Sequence, residues 1–149
     1  MSNVLLDVNV LVSLLDSAHA HHEAAVRWFR AVALVEGWAT TPITENGFVR
    51  VVSYVNYPNL RLTPFMAAAS LAQFISAFAG SHRFWELDAT ICDPELFDLT
   101  KLTGARQITD AYLAGIAFRR GGRLATFDSS IQWRAIRGAD AKLIEHIKS

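Results

Sequence analysis

Apolar residues follow two rhythms along this chain, short unbroken runs and longer stretches at helical spacing, and the two alternate. Val4-Leu5-Leu6 reads as a buried strand, followed by a helix through Leu14 and a polar break at Asp16-Ser17-Ala18-His19. In the next helix Ala25, Trp28, Phe29, Val32 and Val35 recur on one side, with Glu23, Arg27 and Arg30 on the other. Trp38 to Thr41 predicts a second strand, and Pro42 suits the first position of a helix that carries Phe48, Val49 and Val52 and ends at Asn56-Tyr57-Pro58-Asn59. Further on, His82 to Leu87 predicts a strand, Asp93-Pro94-Glu95 a helix start, and Gln107 to Arg120 a helix stopped by Gly121-Gly122. Arg123 to Phe127 and Lys142 to Ile147 predict the last two strands. Helices alternating with short apolar strands predict an α/β fold with a mostly parallel sheet, with no internal repeat, low-complexity tract or linker.

Pro64 to Ala79 breaks the pattern, because only Ser70, Gln73 and Ser76 interrupt its apolar residues. It is too apolar for a helix that covers one face of a core and too short to span a membrane. Two readings stand side by side: a helix sandwiched inside the domain, or, if Phe65, Leu71, Phe74 and Phe78 cannot all be buried, one whose outer face presents some of them to another protein chain.

Four carboxylates mark the places where an apolar run gives way to a predicted helix. Asp7 closes Val4-Leu5-Leu6, Glu45 follows Trp38 to Pro42, Asp110 opens the pattern Ile108 to Phe118, and Asp128 closes Leu124 to Phe127. In an open α/β sheet such junctions collect on the edge where ligands bind. Each acid alone has a bland explanation as a helix cap or a partner of the helix dipole. Yet Glu45 shares a helix face with Phe48, Val49 and Val52, and Asp110 shares one with Leu113, Ala114 and Ala117, so both point toward the apolar side, where an unpaired charge is costly. Two such charges ~4 Å apart repel by about 4 kcal/mol at an effective dielectric of 20, which asks for a cation between them. Oxygen ligands select a hard one, Mg²⁺ or Mn²⁺.

Composition narrows the classes. The chain has 149 residues, 52% of them hydrophobic, enough for one domain, residues 1–149, with its own core. Cys92 is the single cysteine, which excludes a disulfide framework and a Cys-based zinc site and reads as a buried small hydrophobe in a reducing cytoplasm. Asp7 interrupts the apolar N-terminus and no basic segment precedes it, which argues against a signal peptide, and no window reaches a membrane span. Fourteen basic and 14 acidic residues cancel, so there is no strongly basic footprint for nucleic acid; four acids committed to a cation would leave an excess of four positive charges elsewhere, which suits a phosphate polymer. Arg119, Arg120 and Arg123 around the Gly121-Gly122 turn are candidates for holding phosphates, with a solvated turn as the plainer reading. Asp88, Asp93, Glu95 and Asp98 read as a solvated helix start, Trp28 and Trp85 as core, and His19, His21 and His22 as a structural cluster or, less readily, a substrate contact.

The segments Leu5 to Asn9, Thr41 to Glu45, Ile108 to Ala114 and Leu124 to Asp128, in that order over nearly the whole chain, resemble the PIN-domain ribonucleases, and most closely the VapC-type toxins of bacterial toxin–antitoxin modules. The resemblance implies a three-layer α/β/α fold and cleavage of RNA by an Mg²⁺- or Mn²⁺-dependent endonuclease that uses a metal-activated water. It also implies a homodimer and a cognate antitoxin that covers the active site. On this likeness Asp7, Glu45, Asp110 and Asp128 form the catalytic and metal-binding quartet, Asn9 is the small polar residue after the first acid, and Thr126 supplies a supporting hydroxyl. No family motif falls between Asn56 and Ile91.

Two rivals differ in class. A phosphotransfer domain with a nucleophilic aspartate at its first strand needs an acid two residues on, where Asn9 stands, or a later lysine after a strand, which neither Lys101 nor Lys142 supplies. A catalytically silent RNA- or protein-binding module has the same acids without turnover, and cleavage of total RNA with and without the cation separates the two.

Overall fold

The computed structural model describes residues 3–149. Five short strands, β1 (Val4–Leu6), β2 (Trp38–Thr40), β3 (His82–Phe84), β4 (Arg123–Thr126) and β5 (Ile144–His146), form one sheet in the order β3-β2-β1-β4-β5. Every pairing is parallel, with Leu5 opposite Ala39 on one side and Leu124 on the other. The chain adds β2 and β3 to one side of β1 and then crosses to place β4 on the other. The gap beyond the ends of β1 and β4 is therefore the switch point at which open α/β sheets bind ligands.

The central strands read as unbroken apolar runs because both faces are covered. Val4, Leu6, Trp38 and Ala125 face one core, formed with α1 (Val8–Leu15), α2 (His22–Trp28), α4 (Pro42–Val52) and α5 (Pro64–Ala77); Leu5, Ala39 and Leu124 face the other, under α6 (Ile108–Arg119). The result is the three-layer α/β/α arrangement.

Several expected elements differ. α2 passes through a π-helical turn, Phe29–Ala33, into the three-residue α3 (Leu34–Glu36). Its extra residue per turn moves the buried stripe onto Ala25, Phe29 and Ala33, and Val35, expected on that stripe, is 70% exposed. β3 stops at Phe84 rather than Leu87. The helix expected from Asp93-Pro94-Glu95 is a single turn: Phe97 N–H donates to the Asp93 carbonyl (3.0 Å), after which Asp98 N–H to Ala135 (2.8 Å) and Arg137 N–H to Leu96 (2.9 Å) draw the chain into an antiparallel bridge between Phe97 and Ile136. Tertiary pairing overrides the local start signal because Leu96 and Phe97 gain burial beneath α6, where Gly115 admits the Phe97 ring; a Cβ there would lie 2.4 Å from Cε1 of Phe97. Cys92, expected inside, is exposed on this segment.

α5 is not sandwiched inside the domain. Ala67 and Leu71 are buried and Phe74 and Phe78 are partly so, but the outward face is open and Phe65 is 82% exposed. No helix among the described residues is long and apolar enough to cross a membrane.

Candidate active site

Asp7 follows β1 because the strand's last backbone pairing is complete there, Asp7 N–H donating to the Ala125 carbonyl (3.0 Å) while its own side chain turns to cap α1. Oδ1 accepts from Val8 N–H (2.8 Å) and Oδ2 from the Thr126 hydroxyl (2.8 Å). Only 6% of the residue is exposed. The capping reading is therefore correct for Asp7, and it coexists with burial beside other acids. Burial raises its pKa and the Asp128 charge adds to the rise, while the bonds from Thr126 and Val8 oppose it.

Thr126 is buried at the end of β4, and all of its side-chain bonds serve this junction. Its hydroxyl donates to Asp7 and accepts from Asn9 Nδ2 (3.1 Å) and from Asp128 N–H (3.0 Å). Asn9 Oδ1 accepts in turn from Phe127 N–H (3.2 Å), so the first turn of α1 is stitched to the loop after β4. No helix follows Asp128, contrary to expectation. Its Oδ1 accepts from Ser130 N–H (2.8 Å) and the Ser130 hydroxyl (2.6 Å), which closes a tight turn and leaves the rest of the carboxyl group for the cavity.

Asp110 stands in the first turn of α6, half buried, as its face with Leu113, Ala114 and Ala117 predicted. Burial, then the charges of Asp7 and Asp128, push its pKa up to about 6. The three aspartates line one cavity of about 360 Å³ at the switch point, together with Val8, Asn9, Val12, His19, Val51 and Tyr57. Burial beside neighbouring acids thus disfavours the anionic forms of Asp7 and Asp110, an arrangement that a bound cation or a shared proton relieves.

Glu45 is not among the residues lining that cavity. Held by the capping box of Thr41 and Thr44 at the start of α4, it accepts from the Thr40 hydroxyl (2.6 Å) and lines a separate groove with Asn46, Val49, Leu71 and Ile75. Since Thr40 gives its only hydroxyl proton to this carboxylate, the His82 Nε2 beside it (2.8 Å) is a donor. Among the described residues, no three acids, histidines or cysteines are gathered tightly enough to enclose an ion by themselves.

The histidine cluster divides. His22 Nδ1 meets the Ser13 carbonyl (2.8 Å) and His21 stacks on Phe127 (4.6 Å between ring centroids), whereas His19 enters the cavity wall. Tyr57 had no signal in the sequence beyond a turn. The arginines around Gly121-Gly122 are committed to protein rather than to phosphate. Arg123 pairs with Glu36 (2.8 Å) and Glu145, Arg120 donates to the Glu86 carbonyl (2.6 Å), and Arg119 lies 3.8 Å from Asp88. That turn opens β4, at the opposite sheet edge from the aspartates.

A doubly covered parallel sheet with acids meeting at its switch point defines an open α/β fold of the kind that binds ligands at that point, and the match is more specific than that. The family model described as PIN domain aligns with residues 4–137, and the chain belongs to the PIN domain family. It is similar to Ribonuclease VapC44 of Mycobacterium tuberculosis (strain CDC 1551 / Oshkosh), 41% identical over 140 residues that cover 91% of this chain and 92% of that protein. Ribonuclease VapC39 of the same strain is 43% identical over 134 residues, covering 90% and 94%. Among solved structures, Mycobacterium tuberculosis VapC20, described as a sarcin-ricin loop cleaving toxin, superposes with a TM-score of 0.58 over 89% of this chain and 94% of its own. At 12% identity that likeness speaks for the fold alone.

Proposed function

We propose that this chain is an Mg²⁺- or Mn²⁺-dependent endoribonuclease that acts as the toxin of a type II toxin–antitoxin module. The observation that carries the reading is the convergence of Asp7, Asp110 and Asp128 on one cavity, where burial and the neighbouring aspartate charges raise the proton affinity of Asp7 and Asp110. The full-length similarity to proteins named ribonucleases supports the choice of RNA.

The donor set fits a hard divalent cation. It consists of carboxylate oxygens, and Mg²⁺ keeps several waters and takes only one or two protein carboxylates plus substrate phosphate, so a site that does not close on an ion unaided is the expected kind. Asp7 and Asp110 would hold the cation, with Asp128 orienting or completing its shell. Glu45 joins them only by leaving Thr40 or through water. When bound, the cation supplies charge stabilisation for the scissile phosphodiester and an acidic water. The protein's part is placement: Thr126 and Val8 fix the Asp7 carboxylate in one orientation, Asn9 locks Thr126, and Val8, Val12 and Val51 give the cavity an apolar floor. The exposed Tyr54, Val55, Phe65 and Met66 favour a homodimer or antitoxin contact on the α4–α5 side.

Incubating the pure protein with total RNA, with and without Mg²⁺ or Mn²⁺, tests the activity. Discrete fragments that need the cation and vanish in Asp7→Asn support it; intact RNA under all conditions rejects it.

A further inference from the structure

His19 and Tyr57 line the aspartate cavity without taking part in the carboxylate network. His19 sits on the loop after α1, where its Nδ1 accepts from His21 N–H (3.0 Å) and lies 3.4 Å from the Ser13 hydroxyl, whose own proton goes to the Asn9 carbonyl (2.7 Å). An imidazole nitrogen that accepts carries no proton, so the neutral ring bears its hydrogen on Nε2, a donor that no protein group in the described residues takes up. Asp7 stands at the start of α1 and His19 on the loop after its end, and both reach the one cavity. The donor and the acids therefore enter the cavity from elements at the two ends of α1.

Tyr57 comes from the loop after α4. Its hydroxyl proton is committed to Asp16 Oδ2 (2.5 Å), and Asn59 Nδ2 donates to the same oxygen (2.8 Å), while Asp16 Oδ1 accepts from Ala18 N–H (3.0 Å). Asp16 is itself buried and caps the C-terminal end of α1. One carboxylate thus ties the loop that carries His19 to the loop that carries Tyr57. Burial favours its proton, and the bonds from Tyr57, Asn59 and Ala18 outweigh that, keeping its pKa below the ordinary value and the anchor charged. With its hydroxyl spent on that anchor, what Tyr57 offers the cavity is an aromatic ring on a fixed mount.

We propose that His19 and Tyr57 form a nucleotide subsite for single-stranded RNA next to the aspartates, His19 Nε2 donating to a phosphate or sugar oxygen and the Tyr57 ring stacking on an unpaired base. A strand lying along α1 would then present its scissile phosphate to the acids while the adjoining nucleotide is gripped at the other end. Unpaired bases stacked on aromatic side chains are the usual way in which single-stranded RNA is held. The inference rests on the ribonuclease reading.

The experiment measures cleavage of total RNA in Mn²⁺ and the anisotropy of a fluorescent mixed-sequence single-stranded RNA in metal-free buffer, for wild type, His19→Ala, His19→Gln, Tyr57→Leu and Tyr57→Phe, each assayed well below its own melting temperature because both Tyr57 variants also lose the bond to Asp16. Tyr57→Leu and His19→Ala should each weaken RNA binding about tenfold, the size expected for a lost base stack or donor. Tyr57→Phe should recover most of what Tyr57→Leu loses, because the ring remains, and His19→Gln should recover part, because an amide N–H can replace Nε2–H. If Tyr57→Phe is as weak as Tyr57→Leu, or His19→Ala and Tyr57→Leu bind and cleave like wild type, the subsite is wrong while the nuclease stands. If wild type neither binds nor cleaves RNA, the ribonuclease reading itself falls and takes the subsite with it.

Discussion

The two edges of the sheet handle charge in opposite ways. At the edge where β4 begins, Arg123 lies between Glu36 and Glu145 and pairs with both, with Glu36 held below and Arg123 above its usual pKa. At the edge where β1 and β4 end, Asp7, Asp110 and Asp128 face one another with no arginine or lysine among the residues lining their cavity, and Asp7 and Asp110 are driven toward protonation. Similar carboxylates, a few residues from the same strands, are structural at one edge and unstable as a set at the other. Unpaired repulsion in a folded cavity is a cost that a cation removes, and the proposed cation site is the reading that accounts for the difference.

The strongest way to break the comparison is to neutralise the frustrated edge. Asp7→Asn and Asp110→Asn keep shape, and at position 7 capping ability as well, yet each removes charge that a cation needs; fragment yield from total RNA should fall by about a thousandfold, in line with several kcal/mol of lost stabilisation. Full cleavage by either variant would leave that carboxylate as a cap or a bystander.

Mn²⁺ should raise the melting temperature of the wild type, since binding to the native state at a hundred times Kd adds about 2.7 kcal/mol. The shift should shrink sharply in Asp110→Asn but persist in Arg123→Met. An equal shift in all three places the cation at neither edge. Arg123→Met itself should lower stability by about 2 kcal/mol in urea unfolding, because it strands Glu36 and Glu145 half buried without their partner.

Asp110→Asn should act the other way in the metal-free protein. A carboxyl whose folded-state pKa is raised binds a proton more tightly when folded, so its contribution falls as pH rises from 3.8 to about 6. At pH 8 the substitution should stabilise by about 1 kcal/mol after allowance for solvent screening at a half-exposed group, and near pH 4 the gain should disappear. A gain that grows on acidification would overturn the assigned cause. The smallest effect belongs to the outer face of α5, where Phe65→Ser should change monomer stability by less than about 0.5 kcal/mol, the ordinary range for a surface position. If oligomeric mass and partner affinity also stay unchanged, that face is not an interface.

Much of this was legible along the chain because it depends on local pattern. Val4 to Leu6 and Leu124 to Thr126 announce covered strands by being uniformly apolar, Thr41-Pro42 announces a helix start, and Asp7 and Asp128 stand at strand ends by position alone. The failures are where distant segments compete with local signals. Asp93-Pro94-Glu95 starts a helix that the pairing of Phe97 with Ile136 cuts short, and Cys92 on the same segment is left outside. The π turn after Trp28 rotates Val35 outward, which a strict helical period has no means to indicate.

By itself the sequence determined the alternation of elements, the parallel sheet that such alternation demands, the family, and the junctions at which acids stand, because period, capping and strand burial act over a few residues. The tertiary structure alone decided which acids share a cavity. Asp7, Asp110 and Asp128 come together because β4 crosses to the far side of β1 and α6 packs beneath them, while Glu45, with the same placement in its motif, is drawn to Thr40 on the neighbouring strand. Tertiary structure also brought His19 and Tyr57 to that cavity through the buried Asp16, since a hydrogen bond 41 residues long in sequence leaves no periodic trace.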